Sequence, residues 1–225
     1  MAEYQTEVIV LRQRPYGEGH RLLTVYSPDR GKYTVLAKGL GKPRSKLAAG
    51  CQLFTHSRFL CWEGRSLDGV RQAEPLHTFR RLREDLEALA AATFFMELVD
   101  RLVRERDPDA PLFGFLLAGL TLLATTDDLE LASRYLEWQL LSRLGFQPVL
   151  ERCLRCDRPL EAAGAPWRLG LAQGGLLCKE CGTRTAGPEL SPGAARTLAQ
   201  FCVLPPSRLH VLRVAPALRR ELARA

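Results

Sequence analysis

No stretch of this 225-residue chain is apolar for long enough to cross a membrane. The longest candidate, Pro111 to Ala124, is 14 residues and holds two glycines. A spanning helix needs roughly 18–20, so a buried helix is expected there and no membrane association. The first residues, Met1-Ala2-Glu3-Tyr4, have no basic flank and no apolar run, so no secretory leader is expected. Internal repeats and low-complexity tracts are also missing. The patterns that mark common enzyme chemistry fail one by one. Gly39-Leu-Gly-Lys42-Pro43 is not a nucleotide-binding loop, because proline stands where the hydroxyl residue belongs. Gly64-Arg-Ser66-Leu-Asp68 lacks the second glycine of a nucleophile elbow. None of His20, His56, His77 and His210 sits in the spacing of a zinc protease or a zinc deaminase. Asp107-Pro-Asp109 reads as the end of a helix and Gly17-Glu-Gly19 as a turn.

Lysine is scarce too. Of 32 basic residues 27 are arginine, yet four of the five lysines, Lys32, Lys38, Lys42 and Lys46, fall within fifteen residues. Lys38-Gly-Leu-Gly-Lys42-Pro-Arg44-Ser-Lys46 carries four positive charges and no acid. The net charge is +7 and unevenly spread. Residues 1–80 carry 13 Lys and Arg against 7 Asp and Glu, residues 81–147 carry 7 against 12, and residues 148–225 carry 12 against 6. Two basic segments thus flank an acidic middle, the pattern of a polyanion-binding protein, since phosphate neutralisation supplies most non-specific nucleic-acid affinity. A merely solvated basic surface is the plainer reading of the same charge.

Up to about residue 74 the periodicity is that of strands. Glu7–Arg14, Arg21–Ser27, Lys32–Lys38, Gln52–Trp62 and Ser66–Gln72 are separated by turn residues such as Ser27-Pro-Asp-Arg-Gly31. Five short strands predict a small closed barrel of the OB type, with residues 39–50 forming a mobile basic loop between the third and fourth. In the third strand Tyr33, Val35 and Ala37 share one face and both lysines the other. From His77 to Arg106 apolar residues recur every three or four positions, predicting one helix, followed by helices over Leu112–Ala124 and Asp128–Leu144. Ser191-Pro192 opens a further helix, Pro205-Pro206 ends it, and the last turns follow Pro216. The expected organisation is α+β and multidomain: an OB-fold DNA-binding barrel over 1–76, a helical domain over 77–147, a zinc-binding insertion over 148–187, and C-terminal helices over 188–225 packing with the helical domain.

Cys153-Leu-Arg-Cys156 and Cys178-Lys-Glu-Cys181 form two CxxC pairs 21 residues apart. Each such turn aims two sulfurs at one ion, so Cys153, Cys156, Cys178 and Cys181 predict a tetrahedral zinc site. Four cysteines leave no open position, so a single structural zinc is expected; redox dithiols or unligated thiols are the alternatives. Cys51, Cys61 and Cys202 read as reduced, buried thiols, and a cytoplasmic location is expected.

Leu11-Arg-Gln-Arg-Pro-Tyr16-Gly-Glu18, Arg21-Leu-Leu-Thr-Val-Tyr26, Gly31-Lys32, Ala37-Lys38-Gly39 and Gln72-Ala-Glu74 resemble the N-terminal domain of the bacterial recombination mediator family RecO. The order of barrel, helical domain, zinc insertion and C-terminal helices is similar over the whole chain. The resemblance implies a non-enzymatic protein of recombinational repair that binds single- and double-stranded DNA and anneals complementary strands without ATP. It also implies work with RecR and RecF, contact with the C-terminal tail of single-strand-binding protein, recombinase loading, and a place at the bacterial nucleoid. Family members usually continue in a further stretch of helix beyond the position of Ala225, so a shortened C-terminus is expected. From the residues themselves the expected phosphate contacts are Lys38, Lys42, Arg44 and Lys46, then Lys32, Arg14 and Arg21. Tyr16 and Tyr26 are the more open stacking candidates and Tyr33 belongs to the core. Two other readings stay open: a zinc-stabilised enzyme that modifies nucleic acid, and a protein adaptor that does not touch DNA.

Overall fold

The computed structural model describes residues 2–162 and 166–225, so positions 1 and 163–165 of the expected segments 1–76 and 148–187 lie outside the described residues. It contains an N-terminal β-domain, helices and a four-cysteine cluster, the α+β arrangement expected. The chain divides into two compact units, residues 1–129 and 130–225.

In the first unit five strands, β1 (Glu3–Tyr16), β2 (His20–Ser27), β3 (Gly31–Ala37), β4 (His56–Trp62) and β5 (Asp68–His77), close a barrel in the order β1-β2-β3-β5-β4. Strand β1 is the longest because it serves two neighbours. Residues 3–9 pair with β4, residues 9–16 with β2, and a bulge between Val10 and Arg12 turns the strand from one to the other. Closure comes from the parallel pairing of Val35 with Asp68 and Leu36 with Gly69. A side chain at Gly69 would meet the Trp62 ring at 2.2 Å, which is why the position opposite that tryptophan is glycine. Alternation sends Val8, Val10, Leu23, Val25, Tyr33, Val35, Ala37, Phe59 and Cys61 inward, and Leu47 and Cys51 close the core from the long β3–β4 connection. Each such aliphatic side chain contributes about 1.5–3 kcal/mol by burial.

The helix expected over His77–Arg106 is broken. Helix α1 (Arg81–Glu84) stops at Asp85, whose extended backbone and side chain, accepting from the Ala88 N–H at 3.0 Å, cap α2 (Leu86–Leu102). Helix α3 (Ala110–Thr125) starts the same way, with Asp109 accepting from Leu112 N–H at 2.8 Å and Pro111 in its first turn. It buries Leu112, Phe113, Phe115, Leu116, Leu120 and Leu123, as its apolar composition foretold. No helix among the described residues is long and apolar enough to cross a membrane.

The second unit holds α4 (Leu129–Arg143, from its second residue), strands β6 (Trp167–Gly170), β7 (Gly175–Leu177) and β8 (Glu189–Leu190) in the order β7-β6-β8, then α5 (Pro192–Val203) and α6 (Pro216–Leu222). Ser191 caps α5 through the Ala194 N–H at 3.2 Å, as the Ser-Pro pair predicted. At the other end of α5 the free carbonyls find donors on α4. The Leu204 carbonyl accepts from Tyr135 Oη at 2.6 Å and from Gln139 Nε2 at 3.1 Å, and the Tyr135 ring meets Phe201 edge-on.

Candidate metal centre and nucleic-acid interface

The metal centre is built from two knuckles of the same design. In the first, Asp157 N–H donates back to the Cys153 carbonyl at 3.0 Å, with Asp157 in the left-handed region at φ 57°. In the second, Gly182 N–H donates to the Cys178 carbonyl at 2.8 Å. Each closure curls its CxxC so that both sulfurs point one way. The knuckles are held together by backbone pairing with the β6–β7 hairpin. Val149 N–H donates to Gly174 O and Leu154 N–H to Leu176 O, both at 2.9 Å. Arg158 of one knuckle also pairs with Glu180 of the other at 2.7 Å.

The four Sγ atoms consequently lie within 4.8 Å of one another. A tetrahedron with metal–sulfur bonds of ~2.3 Å sets its sulfurs ~3.8 Å apart, and Cys156 and Cys178 are 3.7 Å apart. That separation is far too long for a disulfide, and all seven cysteines are free. The Cys178 N–H donates to the Cys153 sulfur at 3.4 Å. Burial pushes the Cys153 thiol up, but backbone N–H groups of Cys178, Arg155 and Cys156 outweigh it and draw it down to about 6, favouring the thiolate a metal needs. The donor set fits a closed, soft-ligand ion such as zinc. Among the remaining cysteines, Cys51 and Cys61 are buried as expected and burial raises their pKa to about 12 and about 11; Cys202 is only half-buried.

The expected phosphate contacts fall into two groups. Lys38, Lys42, Arg44 and Lys46 are all exposed and make no ion pair among the described residues. The segment that carries them is a folded turn rather than the free loop expected. Gly41 N–H donates to Gly19 O at 3.1 Å, Gly39 N–H donates to His20 Nδ1 at 2.9 Å, and the Lys42 stem lies against Gly19. Leu47 then plugs the barrel behind them. The turn is thereby joined to the β1–β2 turn, near exposed Arg14 and half-exposed Tyr16, while Arg21 is half-buried between Pro15 and Ala37.

Lys32 does not belong with them. It is 6% exposed, ion-paired to Asp100 of α2 at 3.6 Å, and donates to the Asp100 carbonyl. Strand alternation does place it outside the barrel, opposite Tyr33, but this part of the outer surface is covered by helix. Arg12 reaches the same Asp100 at 3.3 Å, and Arg106 N–H donates to Lys32 O at 2.9 Å. Tyr26 is buried for the same reason, its hydroxyl donating to the Asp109 carbonyl at 3.3 Å, and burial raises it to about 12. It is therefore not a stacking surface. One residue went unnoticed in the sequence: the Lys38 ammonium sits 5.2 Å from the centre of the Trp62 ring, a cation–π contact. A tryptophan at the end of a strand, just before Glu63-Gly64, was the available signal.

Residues 1–79 match the family model described as recombination protein O N terminal, and residues 83–225 match the one described as recombination protein O C terminal. The chain belongs to the RecO family. It is 39% identical over 226 residues to the DNA repair protein RecO of Heliobacterium modesticaldum, covering 99% of this chain and 82% of that protein. It is also 39% identical to the DNA repair protein RecO of Pelotomaculum thermopropionicum, at 99% and 86% coverage. The protein of the same name from Symbiobacterium thermophilum is 36% identical, at 100% and 90% coverage. These RecO proteins are similar to the chain across both of its compact units, so the resemblance first carried by Tyr16, Lys38 and Glu74 extends through the cysteine module.

Proposed function

We propose that this member of the RecO family is a non-enzymatic mediator of recombinational repair that binds DNA and anneals complementary strands without nucleotide hydrolysis. The observation that carries the reading is the anchored turn bearing Lys38, Lys42, Arg44 and Lys46, four exposed cations with no acid among them. Charges held on a fixed turn beside a half-exposed tyrosine meet the needs of single-strand binding, phosphate neutralisation with a stacking surface at hand. Annealing follows from the same charges. Two strands repel through their phosphates, and a protein that neutralises part of that charge lowers the barrier to their approach. The site is on the surface, so added salt weakens it. Arg14 and Arg21 flank the turn; Lys32 is left out because Asp100 already holds it.

One zinc ion in the four-thiolate centre stabilises the module and takes no part in binding chemistry, because four protein ligands leave no position for water or substrate. Together with RecR and RecF and the acidic tail of single-strand-binding protein, the chain would prepare coated single strands for the recombinase, in the bacterial cytoplasm at the nucleoid. The test is annealing of two complementary oligonucleotides without ATP by the wild type and by Lys38/Lys42/Arg44/Lys46→Glu. We expect fast annealing by the wild type and at least a tenfold loss in a variant of unchanged metal content and thermal stability. Equal rates would remove the turn from the DNA site, and no annealing by the wild type would sink the reading.

A further inference from the structure

The two compact units differ sharply in charge. Residues 1–129 hold 18 Lys and Arg against 17 Asp and Glu, whereas residues 130–225 hold 14 against 8. The barrel's excess is offset by acidic helices in its own unit. The second unit has no such offset, and most of its acids are engaged. Glu130 pairs with Arg219, Glu137 with Arg134, Asp157 with Arg152, Glu180 with Arg158 and Glu189 with Arg168. Glu221 accepts from the Ser191 N–H at 2.6 Å. Glu151, Glu161 and Glu221 are the acids of this unit without an ion pair among the described residues.

Four of the cations without an ion pair lie at the end of the chain, while Arg155, Lys179, Arg184 and Arg196 are spread along the segment before it. Arg208, Arg213, Arg220 and Arg224 are all exposed and none has an ion pair among the described residues. Glu221 is the one acid between Pro205 and Ala225. Arg220 lies in the last turn of α6, and Arg224 follows two residues after its end, its N–H donating to Glu221 O at 3.0 Å. Arg213 follows the 3-10 turn Pro206–Val211 that carries Arg208. The segment is anchored: Leu209 and Leu222 are 4% and 2% exposed, Leu218 lies against Gly193, and Arg219 and Glu221 tie α6 down through Glu130 and Ser191. The segment that carries the four arginines is therefore anchored to its own unit, and we call it the ledge.

We propose that this ledge is a second nucleic-acid site, which holds one single strand while the barrel turn holds another. The proposal rests on the annealing function set out above and supplies what a lone site lacks, since annealing needs two strands at once. Two sites on one chain turn the meeting of strands into an encounter at high effective concentration. The chemistry favours a phosphate backbone over an acidic protein segment. Arginine's planar fork matches phosphate and carboxylate oxygens alike, so the surroundings decide between them. The cavity that α6 helps to line has Leu190 and Pro192 in its wall but is edged by Glu189 and Glu221, which would repel an acidic peptide seeking an apolar seat.

The test uses the full chain and two unlabelled, non-complementary 20-nucleotide strands for stoichiometry, with a complementary pair for rate. Arg208/Arg213/Arg220/Arg224→Gln removes the charge, and the Glu version of the same set is the second variant. We expect two strands bound per wild-type chain and one per variant chain. Annealing should slow at least tenfold, with metal content and melting temperature unchanged. The log–log salt slope for the second strand on the wild type should be about 3, near 0.7 for each of the four cations. Two strands per variant chain, or wild-type annealing in a folded variant, would overturn the ledge. So would a synthetic Asp-rich peptide whose binding is lost in the variant while annealing is untouched, because the ledge would then serve a protein partner. Failure of the wild type to anneal would instead strike the function proposed above, and the stoichiometry would still decide whether the ledge binds DNA.

Discussion

The barrel and the cysteine module meet the same requirement, a fixed fold in a short segment, by different physics. The barrel closes five strands around a continuous apolar core in which Val8, Val10, Leu23, Val25, Val35 and Phe59 are fully buried. The module has strands of four, three and two residues and buries Leu160, Trp167, Leu169, Leu176 and Leu177. So few ladders and side chains set little against the entropy of ordering some forty residues, and a metal held by the four thiolates would make up the difference. A segment with a self-sufficient core can spend its surface on ligand contact, whereas a metal-stapled one spends its conspicuous residues on itself.

The largest expected effect separates the two directly. Structural zinc in small domains is worth about 10–16 kcal/mol in apparent binding free energy. Stripping the metal with a chelator, or Cys153→Ser with Cys178→Ser, should abolish amide protection between Val149 and Gly182 and leave protection in β1–β5 intact. Hydrogen exchange resolved by segment checks this, and equal loss in both regions would show that the barrel leans on the metal as well.

Next come two lysines six residues apart. Lys32→Met leaves Asp100 without its main ammonium partner and should cost about 2–3 kcal/mol, less than a fully enclosed pair because Asp100 is partly exposed and Arg12 remains. Lys38→Met should leave the melting temperature within a degree or two and weaken single-strand affinity a few-fold. Denaturation and oligonucleotide titration of both variants give the four numbers; a weakened affinity in folded Lys32→Met would restore that residue to the interface. Gly31→Ala should cost as much as Lys32→Met or somewhat more, about 2–4 kcal/mol. Gly31 has φ 67°, and an added Cβ would fall 2.4 Å from the Asp107 carbonyl oxygen, where the strand passes the backbone after α2.

The smallest effect is one of pH. Partial burial pushes the Asp29 carboxyl up, but the Ser27 and Thr6 hydroxyls donating to it outweigh that and hold it below its ordinary 3.8. A depressed carboxylate favours the folded barrel above the unfolded value and loses that contribution as the pH falls through the folded one. Acid unfolding followed at the barrel should therefore be shallower below about pH 4 in Asp29→Asn than in the wild type. An unchanged acid limb would show the hydroxyl bonds to be without weight.

The parts of the molecule that could be read from the chain are those whose signal is local. Two CxxC pairs define their own geometry, and the alternation of Val8, Val10, Leu23, Val25 and Val35 defines a barrel wall. Ser191 before Pro192 marked a helix start. What escaped is whatever a distant segment decides. Alternation correctly put Lys32 on the outer face but could not tell that α2 lies over it, because Asp100 is 68 residues away. Tyr26 was lost in the same way, its hydroxyl meeting the Asp109 carbonyl at the start of α3. The break at Asp85 was hidden for another reason, since Glu84-Asp85 inside an apolar repeat looks like a solvated helix face until its cap with Ala88 is seen. The basic turn looked free because it holds two glycines and a proline, while its ties run from the backbone N–H groups of Gly41 and Gly39 to the Gly19 carbonyl and the His20 ring, which no periodicity reports.

Single-strand affinity measured over a range of salt, for the wild type and for Lys38/Lys42/Arg44/Lys46→Gln, tests the claim that the anchored turn is a phosphate-binding site. At strand concentrations where the tighter site alone fills, each cation contributes about 0.7 to the log–log slope, so we expect the slope to shrink by about 3 and affinity at low salt to fall steeply. An identical slope in a folded variant would mean that no phosphate is held at this turn.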